Sequence, residues 1–109
     1  MIKVYIASPY TIGSHAENVR KQMDVFHVLA KTGKVAPFAP LLFHFQHLVH
    51  PLSYDEWMSI DFAWVKACDC VLRLPGESKG ADAEVEFAKT FQIPVFYSIE
   101  QVKEHYFLL

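Results

Sequence analysis

The sequence predicts an α/β domain of the three-layer, flavodoxin-like or Rossmann-like kind, with a parallel sheet of four strands, or five. Three observations carry that prediction. Short β-branched runs alternate four times with longer segments of helical spacing. Strands alternating with helices imply parallel pairing through right-handed crossovers. The length, 109 residues, suits one domain, so residues 1–109 are read as a single unit.

The elements follow in order. Residues 2–7 (Ile-Lys-Val-Tyr-Ile-Ala) form a buried strand ended by Ser8-Pro9-Tyr10. Helical spacing over 15–32 places Val19, Met23, Phe26 and Ala30 on one face, and Gly33 follows as a stop. Residues 35–38 are a second strand, and residues 41–52 are irregular, apolar and His-rich. Ser53-Tyr54-Asp55-Glu56 has the form of a capping box and opens a helix to about Ala67. Residues 69–74 are a third strand, ended by Pro75-Gly76. A helix over 80–91, a fourth strand over 94–97 and a short helix capped by Ser98, running to about Tyr106, complete the chain.

Composition narrows the function. Hydrophobic residues make up 52% and charged residues 20%, which supports a packed core rather than a disordered tail. A net charge of -2 and the lack of any basic stripe exclude a nucleic-acid polymer as the partner, whereas a mononucleotide needs only a few local donors. No apolar run approaches the roughly 20 residues of a spanning helix, and the N-terminus has no leader pattern. Cys68 and Cys70 are too few and too close for a disulfide scaffold, so a reduced, cytoplasmic setting is expected. Aromatics at 15% suggest apolar surface shared with a partner subunit.

Two carboxylates fall where carboxylates are costly. In the 80–91 helix, at about 100° per residue from Ala81, the residues Val85, Phe87, Ala88 and Phe91 share an apolar arc, and Glu84 sits inside it near about 300°. Asp82 and Glu86 point the other way. In the 53–67 helix, Tyr54, Trp57, Ile60, Trp64 and Ala67 make a stripe that contains Asp61. An unpaired buried carboxylate costs several kcal/mol. Either both line a crevice and do chemistry, or each is paired with buried donors, or the helical phase is shifted. Glu84 lies in the second turn of its helix, where the positive end of the dipole is expected to keep it ionised.

In a sheet of this kind the ligand crevice lies at the carboxyl ends of the strands. The segments to watch are therefore 8–13, 39–43, 75–80 and Ser98. The turn over 75–80 contains Gly76 and Gly80 and offers backbone N–H groups to an anion, with Ser78 and Lys79 adding a hydroxyl and a charge.

These residues resemble the nucleoside 2-deoxyribosyltransferase family, including its 2'-deoxynucleoside 5'-monophosphate N-glycosidase branch. Val4-Tyr5-Ile6-Ala7 carries a Tyr where the family has one that contacts its nucleophile. Asp61 is followed eight residues later by Asp69, as in the family, whose first Asp of the pair contacts the leaving base. Ser78-Lys79-Gly80-Ala81-Asp82-Ala83-Glu84 is similar to the family's nucleophile segment, and a Ser six residues before the Glu is the phosphate ligand of the monophosphate branch. The sequence departs from the family at Glu84-Val85-Glu86, where Glu-Leu-Gly is common, and at the loop over 8–14, which lacks the Gly/Arg-rich character of that branch.

The resemblance implies cleavage of the N-glycosidic bond of a (2'-deoxy)nucleoside or its 5'-monophosphate. Glu84 would be the nucleophile, Tyr5 would orient it, and Asp61 would serve the base. Ser8, Pro9, Tyr10, Ser78 and Gly80 would bind substrate, with Ser98 contributing to a neighbouring subunit's site in a homo-oligomer, a dimer or larger. No metal or other cofactor is implied.

The competing reading is a catalytically silent nucleotide-binding or sensor module on the same fold. Other readings stand beside individual residues. Tyr5 also fits a strand-core tyrosine, and Asp69 a residue that simply starts a strand. Trp57 and Trp64 fit core, a dimer interface or a base-stacking platform. His44, His47 and His50, spaced by three, fit a polar lip over the pocket, plain surface or a metal site.

Overall fold

The computed structural model describes residues 1–108. Its elements run β1 (Ile2–Ala7), α1 (His15–Lys31), β2 (Val35–Phe38), a 3₁₀ turn (Pro40–Phe43), α2 (His44–Val49), α3 (Tyr54–Ala67), β3 (Cys70–Arg73), α4 (Lys79–Thr90), β4 (Val95–Phe96) and α5 (Ile99–His105). The four strands form one parallel sheet in the order β2-β1-β3-β4. This is the three-layer α/β architecture the alternation predicts, with four strands among the described residues.

Alternation along the strands builds the two halves of the core. Val4, Ile6, Cys70 and Leu72 face one way, against Leu29 of α1 and Val102 of α5. Tyr5, Ala7 and Val71 face the other, against Val65 of α3 and Ala81 and Ala88 of α4. The chain leaves β1 for β2 on one side and returns to β3 on the other. The winding therefore reverses between β1 and β3, and a crevice opens at their carboxyl ends. β2 holds Pro37, which the ladder tolerates because β2 is an edge strand.

Local signals set the helix ends. Ser14, Ser53, Ser78 and Ser98 each cap a helix by accepting a backbone N–H, and Ser53 with Glu56 closes the capping box read from the sequence. Asp69 pins the start of β3: its carboxylate accepts from Lys3 N at 2.8 Å, and its own N–H donates to Lys3 O at 2.8 Å.

Two expectations are corrected here. The stretch 41–52 is not irregular, since most of it forms the 3₁₀ turn and α2. Its pattern was obscure because Leu42, Phe45, Leu48 and Val49 all face outward, Phe45 with 73% exposure. The apolar stripe assigned to α3 is also rotated. Met58 and Val65 are its buried residues, while Tyr54, Trp64 and Ala67 are exposed. Asp61 stays on the inward side because it lies where the two arcs overlap.

The loops after β1 and β3 meet at a glycine. Gly76 has φ +118°, and a Cβ there would lie 2.8 Å from Pro9 Cγ. Pro9 thus packs against the neighbouring loop. The substitution Gly76→Ala is expected to destabilise the fold by roughly 1–3 kcal/mol through backbone strain and that clash. A urea midpoint equal to that of the wild type would refute the close approach.

Candidate active site

Three acidic side chains converge at the crevice. Tyr5 lies in the central strand β1 and is fully buried, with its hydroxyl donating to Glu84 Oε2. Glu84 comes from the inward face of α4 and is 5% exposed. Asp61 comes from α3, which packs beside α4. Its Oδ1 is buried and has no hydrogen-bond partner among the described residues. A buried acceptor without a donor is unusual in a folded protein and costs about 1–3 kcal/mol.

Burial governs how this group ionises. It raises Glu84 well above the usual carboxylate range, and the charge of Asp61 adds to the rise, while the Tyr5 hydroxyl and Arg73 oppose it. Burial pushes Asp61 up to about 6, against the pull of Glu84 and Tyr5. Tyr5 is raised well above its ordinary value by burial, then by Glu84 and Asp61. Burial therefore works against the helix dipole, which was expected to keep Glu84 ionised. The dipole acts within the first turn, whereas Glu84 lies a turn deeper and beside another carboxyl. Glu84 and Asp61 titrate as a pair, and burial makes them hold a proton to higher pH than a free carboxyl does.

A cavity of about 560 Å³ opens above these groups, within the range of small-molecule sites. Asp61 and Glu84 lie in its lining. The loop after β1 contributes Ser8 and Tyr10, and the turn into α4 contributes Ser78, Lys79 and Gly80. The 3₁₀ turn and α2 contribute Phe43, His44 and His47, and α3 contributes Tyr54, Trp57 and Met58. Phe43 and Trp57 stack with centroids 5.4 Å apart, giving an apolar aromatic wall.

Of the residues singled out in the sequence, Tyr5, Asp61 and Glu84 come together. Ser8, Tyr10, Ser78 and Gly80 surround them. Pro9 and Ser98 do not reach the cavity: Pro9 is committed to Gly76, and the Ser98 hydroxyl accepts from Gln101 N at the start of α5. The crevice depends on which strand ends sit beside the reversal point, and β4 lies one strand away from it. Asp69 is a strand pin, and Trp57 rather than Trp64 faces the cavity. Of the three histidines, His44 and His47 line it, while His50 is exposed.

Two supporting residues escaped the sequence reading. Gln22 of α1 is fully buried and donates to Ile6 O at 3.0 Å and Ser8 Oγ at 2.8 Å, while accepting from Leu41 N at 2.9 Å. It ties the loop after β1 to the 3₁₀ turn. It lies on the apolar face of its helix, between Val19 and Phe26, so the helical phase that singles out Glu84 in α4 singles out Gln22 in α1. Arg73, at the end of β3, donates to Leu74 O and Gly76 O and pairs with Asp82 of α4 at 2.9 Å. It holds the turn over 75–78 against the helix that carries Glu84.

A family model matches residues 2–97, nearly the whole chain, and its description is Domain of unknown function (DUF4406). The chain belongs to this family. The matched DUF4406 segment spans all four strands and contains Tyr5, Asp61 and Glu84, while Ser98 falls just outside it. No curated protein matches the chain in a sequence search.

No helix among the described residues is long and apolar enough to cross a membrane.

Proposed function

We propose that this DUF4406 domain cleaves the N-glycosidic bond of a (2'-deoxy)nucleoside or its 5'-monophosphate through a covalent glycosyl-Glu84 intermediate. The observation that carries the reading is the buried Tyr5–Glu84 hydrogen bond beside Asp61, whose Oδ1 has no partner, in a small-molecule cavity. A pair of carboxyls can divide the work on a glycosidic bond. One acts as nucleophile at C1' of the sugar, and the other serves the leaving group.

Glu84 Oε1 is the nucleophilic oxygen in this scheme, because Oε2 is occupied by Tyr5. The shared proton resides on Asp61 in the reactive state and passes to the base as the C1'–N bond breaks. Tyr5 and Arg73 favour the ionised form of Glu84 at that moment. The Phe43–Trp57 wall offers a stacking surface for a base. Ser8, Tyr10, Ser78, Lys79 and Gly80 bind the remainder of the sugar and its 5' substituent. Water resolves the intermediate in a hydrolase, and a second base does so in a transferase. The scheme uses no metal and no other cofactor.

The reading includes a homo-oligomer in a cytoplasmic setting. The outward apolar side chains of α2 offer a surface for a second copy, and Ser98 retains a role only in a neighbouring copy's cavity.

The test is incubation with a panel of nucleosides and 5'-monophosphates, with and without an acceptor base, followed by chromatography. Free base, or an exchanged base, is the expected product. Ligand-dependent stabilisation without base release would replace this reading with that of a silent nucleotide-binding module.

A further inference from the structure

The cavity wall contains a hydrogen-bond donor whose direction is fixed by chemistry. His47 Nδ1 lies 2.7 Å from Trp57 Nε1 and 3.3 Å from Leu52 N. An indole nitrogen and a backbone amide can only donate. Nδ1 must therefore accept from both, and the ring's single proton sits on Nε2. His47 therefore keeps a donor N–H at Nε2, on the side away from Trp57, in a residue that lines the cavity. Its orientation is held further by edge contact with the Trp57 ring, with centroids 5.9 Å apart.

Position says what this donor faces. Trp57 and Asp61 are four residues apart on α3 and so stack on one face of that helix. His47, Trp57 and Asp61 all line the cavity, and Trp57 links the other two, through its hydrogen bond to His47 and its helical spacing to Asp61. In the proposed reaction this is the wall of the leaving base, next to the carboxyl that protonates it. A single uncharged N–H there suits an uncharged acceptor on an aromatic ring.

We propose that His47 is a specificity-determining residue, whose Nε2–H donates to a carbonyl oxygen on the base and selects oxo bases over amino bases. This rests on the N-glycosidase reading of the same cavity. An exocyclic amino group at the matching position presents N–H against N–H, leaving that donor unpaired. One such mismatch is worth roughly tenfold or more in affinity.

The test is calorimetric binding of free bases, which needs no turnover. Hypoxanthine and adenine differ at one ring position in oxo against amino, as do uracil and cytosine. The wild type is expected to bind hypoxanthine and uracil at least about tenfold more tightly than their amino counterparts. In His47→Phe the preference is expected to collapse to within about threefold, through loss on the oxo bases alone. Trp57→Phe keeps His47 but frees its Nδ1, and should also reduce the preference. Thermal melts establish that each variant is folded. Equal binding of both members of a pair by the wild type, no base binding at all, a preference that survives His47→Phe, or equal weakening of oxo and amino bases would each overturn the proposal. Failure of the N-glycosidase reading is distinct: it appears as base discrimination without base release from any nucleoside.

Discussion

Replacing Glu84 by Gln is expected to lower base release by at least about 10⁴-fold while making the protein more stable. The loss follows from removing the nucleophile, since an amide cannot form the glycosyl ester; a group acting within a tightly coupled site commonly carries a factor of this size. The gain follows from linkage. Glu84 is raised in the folded protein above its ordinary value near 4.5. The stability this group contributes is fully present below that value and is lost as pH rises through the higher folded value. As pH rises above 4.5 the folded state bears a growing penalty for burying this carboxyl. The amide of the Glu84→Gln variant is neutral throughout. Its oxygen can accept from Tyr5, and its NH₂ lies near Asp61, whose Oδ1 has no donor. An increase of roughly 1–3 kcal/mol, seen as a rise in Tm of several degrees at pH 8 that shrinks toward pH 4, is the expected result. A lower Tm, or turnover within tenfold of the wild type, would remove Glu84 from the role proposed for it.

Asp61→Asn is expected to separate protonation of the base from attack on the sugar. Asn can hydrogen-bond a base but cannot deliver a proton, so release from ordinary nucleosides should fall by about 10²–10⁴-fold. A nucleoside whose base leaves as a stable anion needs no proton, and should lose less than about tenfold. The pH profile carries a second signature. Asp61 is pushed up to about 6 by burial, and it shares its proton with Glu84. In the wild type the rate should decline as pH rises and the pair loses that proton. The variant should lack this decline. Its stability should also vary less between about pH 4 and 6, the interval across which the folded Asp61 stays protonated while the unfolded one ionises. Equal losses on both leaving groups, with the alkaline decline intact, would assign Asp61 a structural role.

These two carboxyls were legible in the sequence to different degrees. Glu84 stood out because α4 is regular and amphipathic, so its phase could be read residue by residue. Asp61 was reached through an arc drawn on the tryptophans of α3, yet Met58 and Val65 are what the core buries. Large aromatics dominate a hydrophobic pattern, but their burial depends on which neighbour they meet. Trp57 meets His47 and the cavity, whereas Trp64 stacks on Phe38 and remains 45% exposed. The helix α2 escaped notice because its apolar residues point outward, against the usual sense of an amphipathic pattern.

The sequence alone determined what depends on local periodicity and on residue chemistry. It set the strand and helix order, the caps at Ser53 and Ser98, the parallel sheet and the inward face of α4, because backbone geometry fixes which residues share a face. The tertiary structure decided everything that depends on distance across the chain. It placed Tyr5, Asp61 and Glu84 together from β1, α3 and α4, sent Pro9 to Gly76, and kept Ser98 out of the cavity. It also added a burial effect that opposes the expected ionisation of Glu84. A helix dipole is visible in a sequence, but desolvation arises only when other elements close over a group, and at Glu84 it is the first cause of the rise.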